Sequence, residues 1–402
     1  MTIPRFDLDR VVRLARSALP HAGSVSLHEP EFRGNEWIYL KRCLDTGMVS
    51  SIGDYVNIFE NRLADFTGVA HAIATVNGTA ALHVCLRLVG VERDDEVIVP
   101  TMTFVATVNA VAYCAAVPHF VDCEERTFGI DPIKLDAHLA DIAVIKGAEC
   151  WNRITGRRLR AIVPMHVFGH PVDLDPLAEV CRKYRLEMVE DAAESLGSYY
   201  KGRHTGFCGR VSALSFNGNK IVTTGGGGAV ITNDSALAER ARHLTTTAKI
   251  PHCWAFNHDE IAYNYRLPNI NAAIGCAQLE RLPDMIERKR VLAERYREVF
   301  QGIDGMYVFT EQSFTRSNYW LNALVLMPEY QEYRDDLLSL LHADGILARP
   351  VWTLMHRLPM YSHMPRADLS VAESLERRVI NLPSSPCLTD AVSDQRRSTK
   401  TS

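Results

Sequence analysis

Lys220 lies in the stretch SFNGNKIVTTGGGG, Ser215 to Gly228, and Asp191 closes the apolar run LEMVED about thirty residues before it. A primary amine beside a Gly/Thr-rich turn, preceded by a lone acid at a strand end, suits pyridoxal phosphate chemistry. The amine forms a Schiff base with the cofactor aldehyde, and the carboxylate keeps the pyridine nitrogen protonated so that the ring can accept carbanion electrons. A solvated turn lysine or a simple phosphate contact is the plainer alternative. Against it, Ser215, Asn217, Thr223 and Thr224 crowd the lysine, and four consecutive glycines let the backbone approach a bound group. A Walker-type loop is excluded, because GxxxxGK[ST] is absent and Lys220 precedes the glycines.

The chain has 402 residues, a net charge of −4, 47% hydrophobic and 23% charged residues. That is the balance of a globular protein with material for a large sheet and more than one core. No basic run carries interleaved aromatics, so nucleic acid is not an expected partner. The apolar stretch from Phe104 to Val117 is interrupted by Thr107 and Asn109 and stopped by Pro118, too short and polar to span a bilayer. Ten cysteines are scattered without metal-ligand spacing, so no metal site is expected and reduced thiols in a cytoplasmic protein are the simplest reading.

The elements that must position Lys220 and Asp191 follow from periodicity. Between about residues 70 and 235, the runs HAIATV, DEVIVP, VPHFVD, LRAIVPMHV, LEMVED, VSALSF and GGAVIT alternate with helical patterns such as Thr79 to Val89 and Leu174 to Tyr184. Apolar strands separated by helices predict an α/β fold with a mainly parallel sheet covered on both faces, binding its ligand at the strand ends. The expected organisation is an N-terminal helix (1–25), a large α/β domain (26–270), a connector helix (271–300) tolerating Pro283 as a kink or break, a small α+β domain (301–390) and a tail (391–402). In the small domain YWLNALVLM reads as a strand and YRDDLLSLLHADG as a helix with a glycine cap.

A phosphate group needs a helix N-terminus with small residues, which NGTAAL supplies through Gly78 and Thr79 directly after a strand. A cofactor ring needs an aromatic face, and Phe104 follows a strand end. A plain helix cap and a core phenylalanine would look the same taken singly. Occurring in this order with Asp191 and Lys220, they resemble the DegT/StrS-type nucleotide-sugar aminotransferases of fold type I, the aspartate aminotransferase fold. The resemblance spans about residues 26 to 390 and includes HEPEFRGNE, SSIGDYVNIFE, NGTAAL, DEVIVPTMTFVATVNAV, VPMHVFG, VEDAAES, SFNGNK, TTGGGG, YNYRLPNINAAIGCAQL and ARPVWTLMHRLPMY.

The resemblance implies that Lys220 carries pyridoxal phosphate, Asp191 pairs with its ring nitrogen and Phe104 stacks on the ring. It further implies that Gly78, Thr79 and Ser215 hold the phosphate beside Asn217, while Asn264 reaches the phosphate of a neighbouring subunit in a homodimer with shared active sites. Two positions depart from much of the family. Glu194 stands where Gln or His is common beside the phenolic oxygen, and a carboxylate there would repel the phenolate unless protonated or bridged by water. Gly226 stands where TTGEGG has a glutamate, which puts local contacts in doubt.

Together with HEPEF and SSIGDY, these departures resemble the subgroup that aminates UDP- or GDP-linked 4-keto-6-deoxy-N-acetylhexosamines with L-glutamate, toward bacillosamine- and legionaminic-acid-type glycans. His166, Arg266, Arg349 and His356 are candidate substrate contacts, with satisfied core or interface histidines the alternative for His166 and His356. A related dehydratase group replaces the lysine by histidine, and an inactive regulatory homologue would lack Lys220 or Asp191. Both residues are present.

Overall fold

The computed structural model describes residues 6–20 and 23–389. Every apolar run singled out in the large domain is a strand: β1 His71–Thr75, β2 Glu96–Pro100, β3 Val117–Val121, β4 Arg158–Ile162, β5 Glu187–Asp191, β6 Val211–Ser215 and β7 Gly228–Thr232. They stand side by side in the order 1-7-6-5-4-2-3, and a hairpin, Ala143–Lys146 with Glu149–Asn152, extends from β4. Strands β2 to β6 run parallel, whereas β7 is antiparallel to both neighbours. The fold is thus the expected α/β class with a mixed, mostly parallel sheet.

The helices are α1 Leu8–Ser17, α2 Glu36–Thr46, α3 Asp54–Thr67, α4 Gly78–Leu88, α5 Val105–Tyr113, α6 Pro132–Ile142, α7 Leu174–Tyr184, α8 Ser235–Thr245, α9 Asn269–Val299 and α10 Arg334–Ala343. Their starts carry the sequence signals for capping. Asn77 accepts the Ala80 amide at 2.8 Å before α4, Asp131 and Pro132 open α6, and Asp234 caps α8. Alternate residues of each strand feed opposite cores. Ile73, Val97, Val189, Ala213 and Val230 pack with α4, α5 and α8. Ala72, Leu214 and Ile231 meet α3 and α9 on the other face, where Ile98, Ile162 and Met188 meet α6 and α7.

The connector α9 is one helix that continues through Pro283. Its later turns enter a separate core with β8 Met306–Val308, β9 Asn322–Leu326, β10 Arg349–Pro350 and β11 Val379–Leu382, an antiparallel sheet in the order 8-9-11-10. Helix α1 packs into this same core through Val11 and Ala15. The N-terminal helix is thereby part of the small unit rather than an independent element. The tail at 391–402 and the first five residues lie outside the described residues.

One expected strand starts later than the apolar run suggests. YWLNALVLM forms a strand only from Asn322, because Tyr319 adopts φ 48° and turns the chain before it. The turn is held by Asn318, whose Oδ1 accepts the Trp320 amide at 2.8 Å.

On one face of the sheet, α9 packs against α3. A Cβ on Gly275 would lie 2.5 Å from the fully buried Phe59 ring. Gly275→Ala should therefore force α9 away from α3 and destabilise the fold by about 1–3 kcal/mol, the usual cost of overpacking. Chemical denaturation checks this; an unchanged midpoint would show that the two helices part freely.

Candidate active site

Because β2, β4, β5 and β6 are parallel, their carboxyl ends open on one edge of the sheet, and the chain turns there into the groups that could do chemistry. A cavity of about 290 Å³ at this edge is lined by Gly78, Thr79, Phe104, Asp191, Glu194, Ser215, Asn217 and Lys220. Eight residues singled out from the sequence thus share one space. Trp320 and Trp352 line it as well.

Asp191 ends β5 and is 2% exposed. Its Oδ2 accepts from Thr107 Oγ1 at 2.7 Å and its Oδ1 from the Ala193 amide at 3.1 Å. Burial pushes its pKa up, and these hydrogen bonds offset only part of that rise. A carboxylate desolvated in this way gains from a cationic partner.

Lys220 follows β6 on a turn whose backbone closes from its own amide to the Asn217 carbonyl at 2.9 Å. Its Nζ lies 3.3 Å from Glu194 Oε1 and 3.9 Å from the centroid of the Trp320 ring. Trp320 is held in place by its Nε1, which donates to the Asn219 carbonyl at 2.9 Å. Glu194 is 3% exposed, and its Oε2 accepts the Phe168 amide at 2.9 Å. Phe168 turns that amide inward by adopting φ 56°, a left-handed conformation rarely taken by bulky residues. Burial pushes the Glu194 carboxyl up to about 7, opposed by the lysine charge and the Phe168 amide.

At the other end of the cavity, α4 presents its first amides. Asn77 takes the Ala80 amide, and the Gly78 and Thr79 amides have no acceptor within the helix, as in any first turn. A Cβ on Gly78 would lie 2.8 Å from Ser215 Cβ, so only glycine lets the helix start reach the β6 end. Phe104 is 47% exposed, with its ring 6.2 Å from that of Trp352. A helix N-terminus for a dianion, an amine, a desolvated acid and an aromatic face fit pyridoxal phosphate. At Gly226 an added Cβ would find its nearest neighbour, the Val76 carbonyl, at 3.8 Å. The turn that departs from TTGEGG therefore has room for a side chain.

Other expected contacts lie elsewhere. Asn264 and Arg266 line a separate open cleft with Ser51, Arg242, Lys249 and His252. His166 is fully buried, with Nε2 2.9 Å from Glu190 Oε2 and Nδ1 accepting the Val172 amide at 3.2 Å. Both ring nitrogens are spent on the core, so His166 is not available to a substrate. His356 Nδ1 bonds Thr101 Oγ1 at 2.7 Å and its Nε2 lies 3.3 Å from Glu373, outside the cavity. Arg349 is exposed on β10.

Thr107, Trp320 and Trp352 were missed by sequence reasoning. Thr107 left a signal as the polar interruption of an apolar stretch. The tryptophans left none, since their positions depend on how the small unit folds back.

Asp191→Asn keeps the Thr107 contact but removes the charge. We expect bound cofactor to be retained while transamination falls by at least ~10²-fold, as for loss of a charged group acting on the reaction centre. Absorbance titration and single-turnover rates check this, and near-normal rates would make the carboxylate merely structural.

The DegT/DnrJ/EryC1/StrS aminotransferase family pattern matches residues 31–395. The chain is 37% identical over 369 residues to the GDP-perosamine synthase of Vibrio cholerae, covering 91% of this chain and 95% of that protein. It is 37% identical over 372 residues to the putative pyridoxal phosphate-dependent aminotransferase EpsN of Bacillus subtilis, covering 91% and 92%. The crystal structure of a DegT DnrJ EryC1 StrS aminotransferase from Brucella abortus superposes with a TM-score of 0.81 at 30% identity, covering 90% of this chain and 93% of that one. The chain belongs to the DegT/DnrJ/EryC1/StrS aminotransferase family, pyridoxal phosphate-dependent enzymes that aminate sugars.

Proposed function

We propose that this enzyme transfers the amino group of L-glutamate to the 4-keto carbon of a nucleotide-linked 4-keto-6-deoxy-N-acetylhexosamine, supplying a 4-amino sugar for glycan or nonulosonic acid synthesis. The observation that carries the reading is the cavity in which Lys220, Asp191 and the α4 N-terminus face one another. Bound pyridoxal phosphate supplies an electron sink for the carbanion at the donor's Cα. Lys220 holds the cofactor between turnovers and then moves the proton from the donor. Asp191 supplies negative charge at the buried end, and Gly78, Thr79 and Ser215 bind the phosphate at the helix start. The likeness to a GDP-perosamine synthase supports amination at C4, since perosamine is a 4-amino sugar. It also favours a second reading in which the acceptor is GDP-linked and lacks the N-acetyl group.

Among the described residues no helix is long and apolar enough to cross a membrane, and buried thiols such as Cys85 and Cys276 suit a reducing compartment. We place the enzyme in the cytoplasm, where the nucleotide sugar and glutamate would reach it. A panel of UDP- and GDP-linked 4-keto sugars with glutamate, read by mass spectrometry, decides the acceptor. Turnover of a 4-keto-6-deoxy-N-acetylhexosamine is expected. Turnover of GDP-linked sugars lacking the N-acetyl group alone would select the second reading, and turnover confined to small keto acids or 3-keto sugars would defeat both.

The position of Asn264 in a cleft apart from Lys220 supports a homodimer in which it serves the partner's site. An isologous interface repeats each contact, so such sites come in symmetric pairs. Mixing Lys220→Ala with Asn264→Ala subunits should give heterodimers with one doubly damaged and one intact site. Activity should return to roughly half the wild-type level per heterodimer by this two-fold count. The test requires Asn264→Ala alone to be severely impaired and subunit exchange to be verified. Activity that then stays at the level of the separate mutants would remove Asn264 from a shared site.

A further inference from the structure

The transamination scheme leaves one buried acid of the cavity without a task. Glu194 lines the cavity, is 3% exposed and touches the catalytic amine itself, with Oε1 3.3 Å from Lys220 Nζ. Its other oxygen is fixed by the Phe168 amide at 2.9 Å. Asn318 holds the backbone behind it, its Nδ2 donating to the Glu194 carbonyl at 2.9 Å. The amine also lies over the Trp320 ring, 3.9 Å from its centroid. Lys220 therefore meets a carboxyl at a set place each time it is released from the cofactor.

We propose that Glu194 is the proton acceptor for Lys220, taking a proton from the released ammonium so that the lysine becomes the neutral base that the donor's Cα requires. In this step an Nζ–H bond breaks and its electron pair stays on nitrogen as the lone pair. An O–H bond forms at Glu194 Oε1, and the proton returns when the lysine is next engaged. No outside reactant is consumed. The proposal rests on the reading of Lys220 as the cofactor lysine in the proposed function.

The electrostatics suit the task. An ordinary carboxylate would be too weak a base, but burial raises this one to about 7, near the working pH of a general base. The charged groups acting on it are Lys220, from the turn after β6, and Asp191, from the end of β5. Lys220 lowers and Asp191 raises its pKa. His28, which also feels the Lys220 charge, is held well below its ordinary pKa by burial and brings no charge of its own near neutrality. Glu194 is ionised above about 7 and neutral below it, so proton acceptance strengthens as pH rises through that value.

The test is the first half-reaction alone, in holoenzyme mixed with excess L-glutamate and followed by loss of the cofactor's long-wavelength absorption across pH. Wild type should accelerate as pH rises through neutrality. Glu194→Gln, which keeps the side-chain length and an acceptor for the Phe168 amide, should lose this limb and slow by ~10²-fold or more, the range for removal of a general acid–base group. Glu194→Ala should be slow as well and should recover with added formate, which restores a carboxylate in the vacated space. Cofactor content and borohydride trapping on Lys220 should be unchanged in both variants.

A Gln variant with the wild-type rate and pH limb overturns the proposal. So does an Ala variant indifferent to formate, or a variant that can no longer hold the cofactor on Lys220, either of which makes Glu194 a prop for its turn. Because no sugar is present, failure of the proposed acceptor would leave these results untouched. A wild type that cannot use glutamate would instead sink the donor assignment.

Discussion

The rest of the site depends on a carboxylate placed where water cannot reach it. Burying Asp191 at the end of a central strand is unfavourable unless other groups compensate. The hydrogen bonds recorded for its two oxygens, from Thr107 and from the Ala193 amide, come from neutral groups. Those donors exist only because α5 starts beside the end of β2 and the chain bends directly after β5. Burial outweighs these bonds and holds the carboxyl above its ordinary pKa, so a cationic partner would be favoured there. At the outer end, the start of α4 offers the opposite polarity. A ligand with a cationic ring nitrogen and an anionic phosphate would be oriented by these two polarities.

The small unit completes this arrangement from the other side. Lys289 of α9 is fully buried and donates to the carbonyls of Trp320, at 3.1 Å, and of Ser384. Burial depresses its pKa well below the usual lysine value. The amine thus fastens the connector helix to the turn that carries Trp320, and Trp320 in turn bounds Lys220. The Lys220 amine is therefore bounded by a residue that the connector helix fixes.

What was legible in the sequence was what local chemistry requires. Strand ends, helix starts and glycine-rich turns have signatures within a few residues, so Asp191, Lys220, Gly78, Thr79 and Ser215 could be found and the parallel sheet anticipated. Trp320 was not legible, because an apolar run reads as a strand until the left-handed Tyr319 is seen. His166 was misleading for a related reason. Its partner Glu190 lies on β5, 24 residues further along the chain, and nothing local distinguishes a core hydrogen bond from a substrate contact. Glu194 was visible as a departure from the family pattern, but its contact with Lys220 required the fold. Asn264 and Arg266 occupy a different cleft of the same chain, a separation that no local sequence signal reveals.

The central claim is that Lys220 is the amine that carries the cofactor. Borohydride reduction of the holoenzyme followed by peptide mapping tests it directly. The account predicts that the reduced cofactor is attached to Lys220, and that Lys220→Ala binds pyridoxal phosphate without a covalent link while losing at least ~10³-fold in rate. Cofactor trapped on another lysine, or a Lys220→Ala enzyme of near-normal rate, would contradict it.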